Sequence, residues 1–341
     1  MITRFRSAFI APSLAAAQLV ATCTMAVACS SSSPSPVMEG DSGTNKKDTG
    51  ASPGTDSSTH PDSGTGYTFT TFDGPGGSPT TANGINSKGT VVGFTTANMI
   101  NSNFLRTSGG TFSALDIGDP AGMANAVDTA GDVVGVANGE AFLLKSGMTP
   151  TALMPPGATS SVALGINDNG VIVGQFVNAA GVTPGFIYDG TTYTTVTPTA
   201  QSTVTNLQGV NTQGTAVGFY SEGDGGTVQH GFSYDMGSKA VTLLADPATA
   251  RITSGGLALT QFLGVNDSGQ AVGYYQTTNG SQYGFLYDLT SETYTFVDDS
   301  DAAPVAGVQV TQITGIDNAG EITGFFVDSS GAQHGFVGAP K

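Results

Sequence analysis

One phrase, repeated six times, constrains this chain more than any other feature. It reads GINSKGTVVGF (Gly84 to Phe94), AVDTAGDVVGV (Ala126 to Val136), GINDNGVIVGQ (Gly165 to Gln175), GVNTQGTAVGF (Gly209 to Phe219), GVNDSGQAVGY (Gly264 to Tyr274) and GIDNAGEITGF (Gly315 to Phe325). Its Asn or Asp residues are spaced by 42, 39, 44, 55 and 51 residues. Each copy continues with a variable stretch, a GF-Y-type strand such as Gly185-Phe186-Ile187-Tyr188, a short turn, and a β-branched strand such as Thr191 to Thr197. That makes four strands per copy, in a unit the size of a propeller blade rather than of a small solenoid coil. The 49 glycines, the absence of Trp and the 11% charged residues fit many short strands joined by tight turns. The expected fold is all-β: a six-bladed β-propeller of four-stranded blades.

The ends of the repeat region point to closure. The sixth copy stops after His334-Gly335-Phe336-Val337 without a fourth strand, while Tyr67-Thr68-Phe69-Thr70-Thr71-Phe72 precedes the first copy as an unattached one. If this N-terminal strand completes the last blade, no long sheet edge stays open. The six-fold phrase resembles the HAF family of bacterial extracellular repeats, whose pattern is approximately GIN-x-x-G-x-VVG followed by a spacer and HAF. The resemblance covers about residues 67 to 341. Its second half departs from the pattern, with His230-Gly231-Phe232, His334-Gly335-Phe336, Glu140-Ala141-Phe142 and, in the first copy, only Phe104. The resemblance implies an extracellular repeat domain and brings no catalytic residues with it.

Residues 1–28 have a basic start, an apolar Ala- and Leu-rich stretch and a small-residue end, the pattern of a signal peptide. Ala26-Val27-Ala28-Cys29 followed by serines resembles a bacterial lipobox, which makes Cys29 the expected lipidation site. Ala26-Val27-Ala28 also suits an ordinary signal peptidase, so soluble secretion is the alternative to an outer-membrane or cell-surface lipoprotein. Residues 29–66 read as a disordered Ser/Gly/Pro/Asp tether reaching roughly 35 Å as a random coil, and residues 67–341 as the propeller. Both cysteines, Cys23 and Cys29, precede the repeats, so the repeat region holds neither a disulfide nor a thiolate site.

The net charge of −16 argues against nucleic acid as a partner. The Asn-Asp-x-Gly turns (Asn167 to Gly170, Asn266 to Gly269) offer oxygen ligands of the kind calcium takes. Hairpin geometry accounts for them better, because Asn86-Ser87-Lys88-Gly89 keeps the same shape with a Lys in it. Asp298, Asp299 and Asp301 read as a solvated acidic loop, with a calcium or other cation site there as the alternative. His230 and His334 share one repeat position in different units, which leaves no histidine metal cluster and no Ser-His-Asp triad. The recurring Gly of VVG (Gly93, Gly174, Gly218, Gly273) requires a close approach, assigned to blade packing.

In an up-and-down blade the loop between strands two and three shares a face with the connection to the next blade. The length variation is expected on that face, in 95–103, 177–184, 221–229, 246–258, 276–282 and 298–308, with Glu222, Asp224 and Arg251 as binding-face residues. The reading is a monomeric, surface-tethered binding or interaction module for an extracellular glycan or protein, variable face outward, without catalytic residues, cofactor or metal, touching membrane only through its lipid. A carboxylate-dependent carbohydrate-active enzyme and a structural envelope protein are the alternatives. Deleting residues 67–72 is expected to destabilise the whole repeat domain; a melting curve as cooperative as that of the intact protein would refute closure by that strand.

Overall fold

The computed structural model describes residues 59–61, 66–223, 228–248, 256–299 and 301–341. Cys29, the signal-like segment, Asp224 and Arg251 lie outside the described residues. The described residues contain strands and turns and no helix. In chain order the strands are β1 (Thr59–Pro61), β2 (Tyr67–Phe72), β3 (Thr80–Ile85), β4 (Val91–Ala97), β5 (Ile100–Arg106), β6 (Phe112–Ala114), β7 (Met123–Val127) and β8 (Val133–Ala137). They continue with β9 (Glu140–Leu144), β10 (Thr151–Leu153), β11 (Ala158–Ile166), β12 (Ile172–Asn178), β13 (Gly185–Tyr188), β14 (Tyr193–Val196), β15 (Ser202–Val210), β16 (Thr215–Glu222) and β17 (Gln229–Asp235). The last are β18 (Val241–Leu243), β19 (Leu257–Val265), β20 (Gln270–Thr277), β21 (Gln282–Asp288), β22 (Thr293–Phe296), β23 (Thr311–Ile316), β24 (Ile322–Val327) and β25 (Gln333–Pro340).

Each copy of the phrase supplies the first two strands of a four-stranded antiparallel unit: β3 to β6, β7 to β10, β11 to β14, β15 to β18, β19 to β22, and β23 to β25 together with β2. In the sixth unit β2 pairs antiparallel with β25 from Tyr67 opposite Pro340 to Phe72 opposite Gly335. Thr59–Pro61, which falls in the expected tether, is a short strand instead, paired to the outer side of β2.

The repeated phrase dictates a repeated local geometry. Strand one of every unit carries a bulge at the same place, between Ala82 and Gly84 in the first unit and between Ile313 and Gly315 in the sixth. The bulge drives a strand-one carbonyl toward strand two. A Cβ built on Gly93 would collide with the Thr81 carbonyl and come within 2.9 Å of the Phe104 ring; the same pair of obstacles, Val162 O and Phe186, faces Gly174. The close approach behind the VVG glycine therefore comes from its own sheet, not from the neighbouring unit as the sequence led us to expect. The glycine of GIN is the one that faces the neighbour: a Cβ on Gly209 would lie 2.8 Å from Gly264 Cα, and one on Gly315 would lie 3.2 Å from Gly84 Cα. The Phe of each strand three (Phe104, Phe142, Phe186, Phe232, Phe285, Phe336) is fully buried, a burial worth about 2–3 kcal/mol each.

Adjacent units are joined by strand-one side chains that donate to the next unit's backbone. Asn86 Nδ2 donates to Asp128 O at 2.7 Å, Asn167 to Asn211 O at 2.8 Å, Asn211 to Asn266 O at 3.1 Å and Asn266 to Asp317 O at 3.1 Å. Meanwhile the Oδ1 of the same residues accepts amides of its own turn, as Asn167 does from Asn169 and Val171. Asp128 and Asp317 hold the equivalent position, and an ionised carboxylate cannot donate. At those two steps the link comes from three places earlier, Asn125 Nδ2 to Ala163 O at 2.8 Å and Thr314 Oγ1 to Ala82 O at 2.7 Å, a contact that Asn83 also makes to Ala124 O in the first unit beside that of Asn86. The sixth unit thus reaches the first.

At the opposite ends of the strands a second set of links is built on the residue that precedes the Gly-Phe motif by two. Gln229 accepts from Gln261 at 2.5 Å, Gln282 accepts from Gln312 at 2.7 Å, and Gln333 Nε2 donates to Thr80 O and Thr81 Oγ1, both at 2.9 Å.

Burial raises the pKa of Asp128, with Asp132 and Asp168 adding repulsion, and burial raises that of Asp317. A carboxyl whose folded pKa is raised favours folding most when protonated, so its contribution falls as pH rises from the ordinary carboxylate range through the raised value. Asp128→Asn combined with Asp317→Asn supplies the two missing donors and removes the buried charges. We expect a Tm about 2–4 °C above wild type at pH 7, with the gain shrinking toward pH 4 in a calorimetric pH series.

Candidate functional site

The variable face contains fewer loops than the sequence implied. Residues 95–103 are mostly the β4–β5 hairpin, closed by Asn98 and Met99 at φ 52° and 61°, and 276–282 is mostly the β20–β21 hairpin. Extended antiparallel pairing continues as far as Ala97 opposite Ile100 and Gln276 opposite Gln282.

The acids singled out on this face hold local structure. Glu222 is exposed and accepts the Thr199 hydroxyl at 2.7 Å, joining its hairpin to the connection that leads into the same unit. Asp299 is 2% exposed and its Oδ1 caps the amide of Asp301 at 2.9 Å. Val297 N donates to Gly284 O, which sets Asp298 across from Tyr283 in the register that sets Asp73 across from His334. Among the described residues no three His, Cys, Asp or Glu side chains are grouped as metal ligands would be.

Both repeat histidines are engaged with carboxylates. His230 Nδ1 lies 3.3 Å from Asp246. His334 Nδ1 lies 2.8 Å from Asp73, just past the closing strand β2, and its Nε2 lies 3.2 Å from Asp328, just past β24. Only the doubly protonated ring donates to both. Partial burial lowers the His334 pKa, but the hydrogen bonds and charges of Asp73 and Asp328 outweigh it and hold the pKa above the ordinary histidine value.

A cavity of about 420 Å³ opens on the other face, between the second and third units. It was missed in the sequence, which led us to expect only short, uniform turns there. The turn from β9 to β10, Lys145 to Pro150, is longer than its counterparts in the other units and forms one wall with Lys145, Met148 and Thr149. Leu143, Leu153 and Ile166 supply apolar lining, and Asp132, Asn169 and Asp189 supply polar lining. Tyr188 completes the third unit's wall.

The Tyr188 ring is held before any ligand arrives. It stacks on Tyr193 with centroids 4.6 Å apart and planes 28° from parallel, and its hydroxyl donates to Gly190 O at 2.8 Å. Asp189 accepts the hydroxyls and amides of Thr192 and Thr191 at 2.7 to 2.8 Å, which hold its carboxyl well below the usual range. Asp132 accepts the Ser146 amide at 3.2 Å and so shapes the long turn. A carboxylate held ionised accepts hydrogen bonds well and is ill suited to donate a proton as a general acid. The cavity can stack and hydrogen-bond a small polar molecule.

No family model matches the chain, and no curated protein matches it. Solved structures with a similar arrangement have propeller-type folds. The β-propeller domain of the Trilobed protease from Pyrococcus furiosus is 10% identical over 81% of this chain and 85% of its own, with a TM-score of 0.44. A streptogramin B lyase is 11% identical over 79% and 97%, with a TM-score of 0.43. The Aleuria aurantia lectin in complex with Fucα1-6GlcNAc is 14% identical over 75% and 91%, with a TM-score of 0.46. At these identities the likeness concerns the fold alone.

The His334 clamp makes a signed prediction. Because its folded pKa is raised, its stabilisation is complete below the unfolded histidine value and is lost as pH rises through the folded one. His334→Gln is expected to lower Tm by about 2 °C at pH 5.5 and by less at pH 9; an equal loss at both would show that the charge does not matter.

Proposed function

We propose that this protein is an extracytoplasmic binding module without catalytic activity, carried on a six-bladed propeller whose last blade is completed by β2, and that its ligand occupies the cavity between the second and third units. The observation that carries the reading is the cavity: about 420 Å³, within the range of small-molecule sites, with a pre-positioned aromatic ring and an ionised, fully engaged carboxylate beside it. Interaction of the sixth unit with the first through Thr314 and Gln333 supports the closed six-unit ring.

The N-terminal pattern ending in Cys29 supports export and a lipid anchor at the outer membrane or cell surface. The described chain begins at Thr59, opposite Thr70 on the outer edge of β2 in the sixth unit, so a tether leading from Cys29 would reach the repeats along that edge. Glycans and proteins of the cell envelope are the partners that such an address makes available.

A thermal-shift screen of envelope-derived small molecules against the mature chain, run in parallel on wild type and Tyr188→Ala, tests the reading. Stabilising compounds should lose about tenfold in affinity or more in the variant, with no product formed on prolonged incubation. Hits whose affinity is indifferent to Tyr188→Ala would place binding elsewhere, and turnover of any hit would refute the non-catalytic assignment.

A further inference from the structure

The chemistry of the cavity selects among ligand classes, and we propose, resting on the assignment of that cavity as the binding site, that it takes a neutral saccharide. Three features converge. The first is the rigid Tyr188 ring. Tyr193 stacks on it, and the Tyr188 hydroxyl is engaged with Gly190, so the aromatic part that lines the cavity is already fixed and contacts a ligand at little entropic cost. A pyranose has a flat C–H face of matching character.

The second feature is the mixture of acceptors and donors. Asp132 and Asp189 bring two carboxylates to the lining, and Lys145, Asn169, Thr149 and Thr151 bring donors or hydroxyls. A sugar hydroxyl both donates and accepts, so a polyhydroxylated ligand can satisfy both kinds of group. An apolar ligand would desolvate the Lys145 ammonium of the lining without replacing its hydrogen bonds to water.

The third is charge. Two carboxylates against one ammonium leave the lining net negative, which penalises an anionic ligand such as a uronate or a phosphosugar. Lys145 makes the lining less attractive to a cation than the carboxylates alone would be. Met148, 66% exposed on the long turn, offers an apolar contact to a second sugar ring or an N-acetyl methyl group. The position also fits the ring's own architecture. This is one of the two steps at which an Asp replaces the linking Asn, so Asp128 provides no amide across the boundary between the second and third units.

Titration of the full mature chain by calorimetry with cellotriose, chitotriose and maltotriose, with trigalacturonate as the acidic counterpart, decides the class. A neutral trisaccharide should bind, lose about tenfold or more in affinity with Tyr188→Ala, and keep its affinity within about threefold with Tyr188→Phe, whose ring is retained. Far-ultraviolet circular dichroism and melting of each variant separate lost binding from lost fold. Trigalacturonate bound more tightly than all three neutral sugars would overturn the neutral class. A fragment library soaked into crystals of the same chain distinguishes the two levels of failure. Fragments in the cavity without saccharide binding would sink the saccharide inference and leave the binding site standing, and a cavity that takes neither would sink both.

Discussion

In each repeat unit the first strand lies against the first strand of the next, and a side-chain donor crosses that boundary to a backbone carbonyl. Everything else in the structure depends on this contact. A four-stranded sheet of this size has two apolar faces and cannot bury both by itself. The GIN glycines permit the strands to meet at backbone distance, as at Gly209 and Gly264, and the Asn amides then satisfy carbonyls that the meeting would otherwise strand without water. The bulge contributes from within the sheet. It turns strand one toward its neighbour while pressing a carbonyl on the VVG glycine, so the two glycines of one phrase answer to two different obstacles.

The boundary links are not identical, and their variation is ordered. Where Asp128 and Asp317 cannot donate, Asn125 and Thr314 do, each from three residues earlier on the same strand. That earlier residue is the bulged one, left out of the ladder between Ala124 and Ala126 and between Ile313 and Gly315, so its side chain can face the neighbouring unit. A break in the phrase is thereby covered inside the same strand rather than elsewhere in the molecule. The boundary between the second and third units keeps the Asn125 link and a turn-to-turn link from the Thr129 amide to Asp168, and the cavity lies between the β9–β10 turn of one unit and Asn169 and Gly170 of the other.

Charge follows a similar logic. The chain carries 26 acidic and 10 basic residues, and many described carboxylates cap turns: Asp189, Asp235, Asp288 and Asp328 each accept amides or hydroxyls of their own turn and are held below the usual carboxylate range. Asp328 extends this pattern by also meeting His334, with Asp73 on the other side of the ring. The cations are employed sparingly. Arg106 lies over Phe72 at 4.6 Å in the core, Lys88 donates to Thr129 O of the next unit, and Lys145 lines the cavity.

The repeated strand phrase, the antiparallel four-stranded units it opens, the pairing of Tyr67–Phe72 with the last strand and the turn chemistry of Asn167 and Asn266 were legible in the residues, because each depends on local geometry that recurs every 39 to 55 positions or on a strand that precedes the first copy and is lacking from the sixth. The VVG glycine was read correctly as a site of close approach but credited to the wrong neighbour, since a sequence records that a Cβ is excluded and not what excludes it. The acids at 298–301 looked like a site because they are adjacent in the chain, and folding turned Asp299 inward to cap its own loop. The cavity was invisible for the complementary reason. Lys145, Met148, Asn169 and Tyr188 belong to different units, each unremarkable within its own repeat. Local pairing rules determine the units from the sequence alone, whereas the space between two units depends on how their unequal turns meet, and only the tertiary packing decides that.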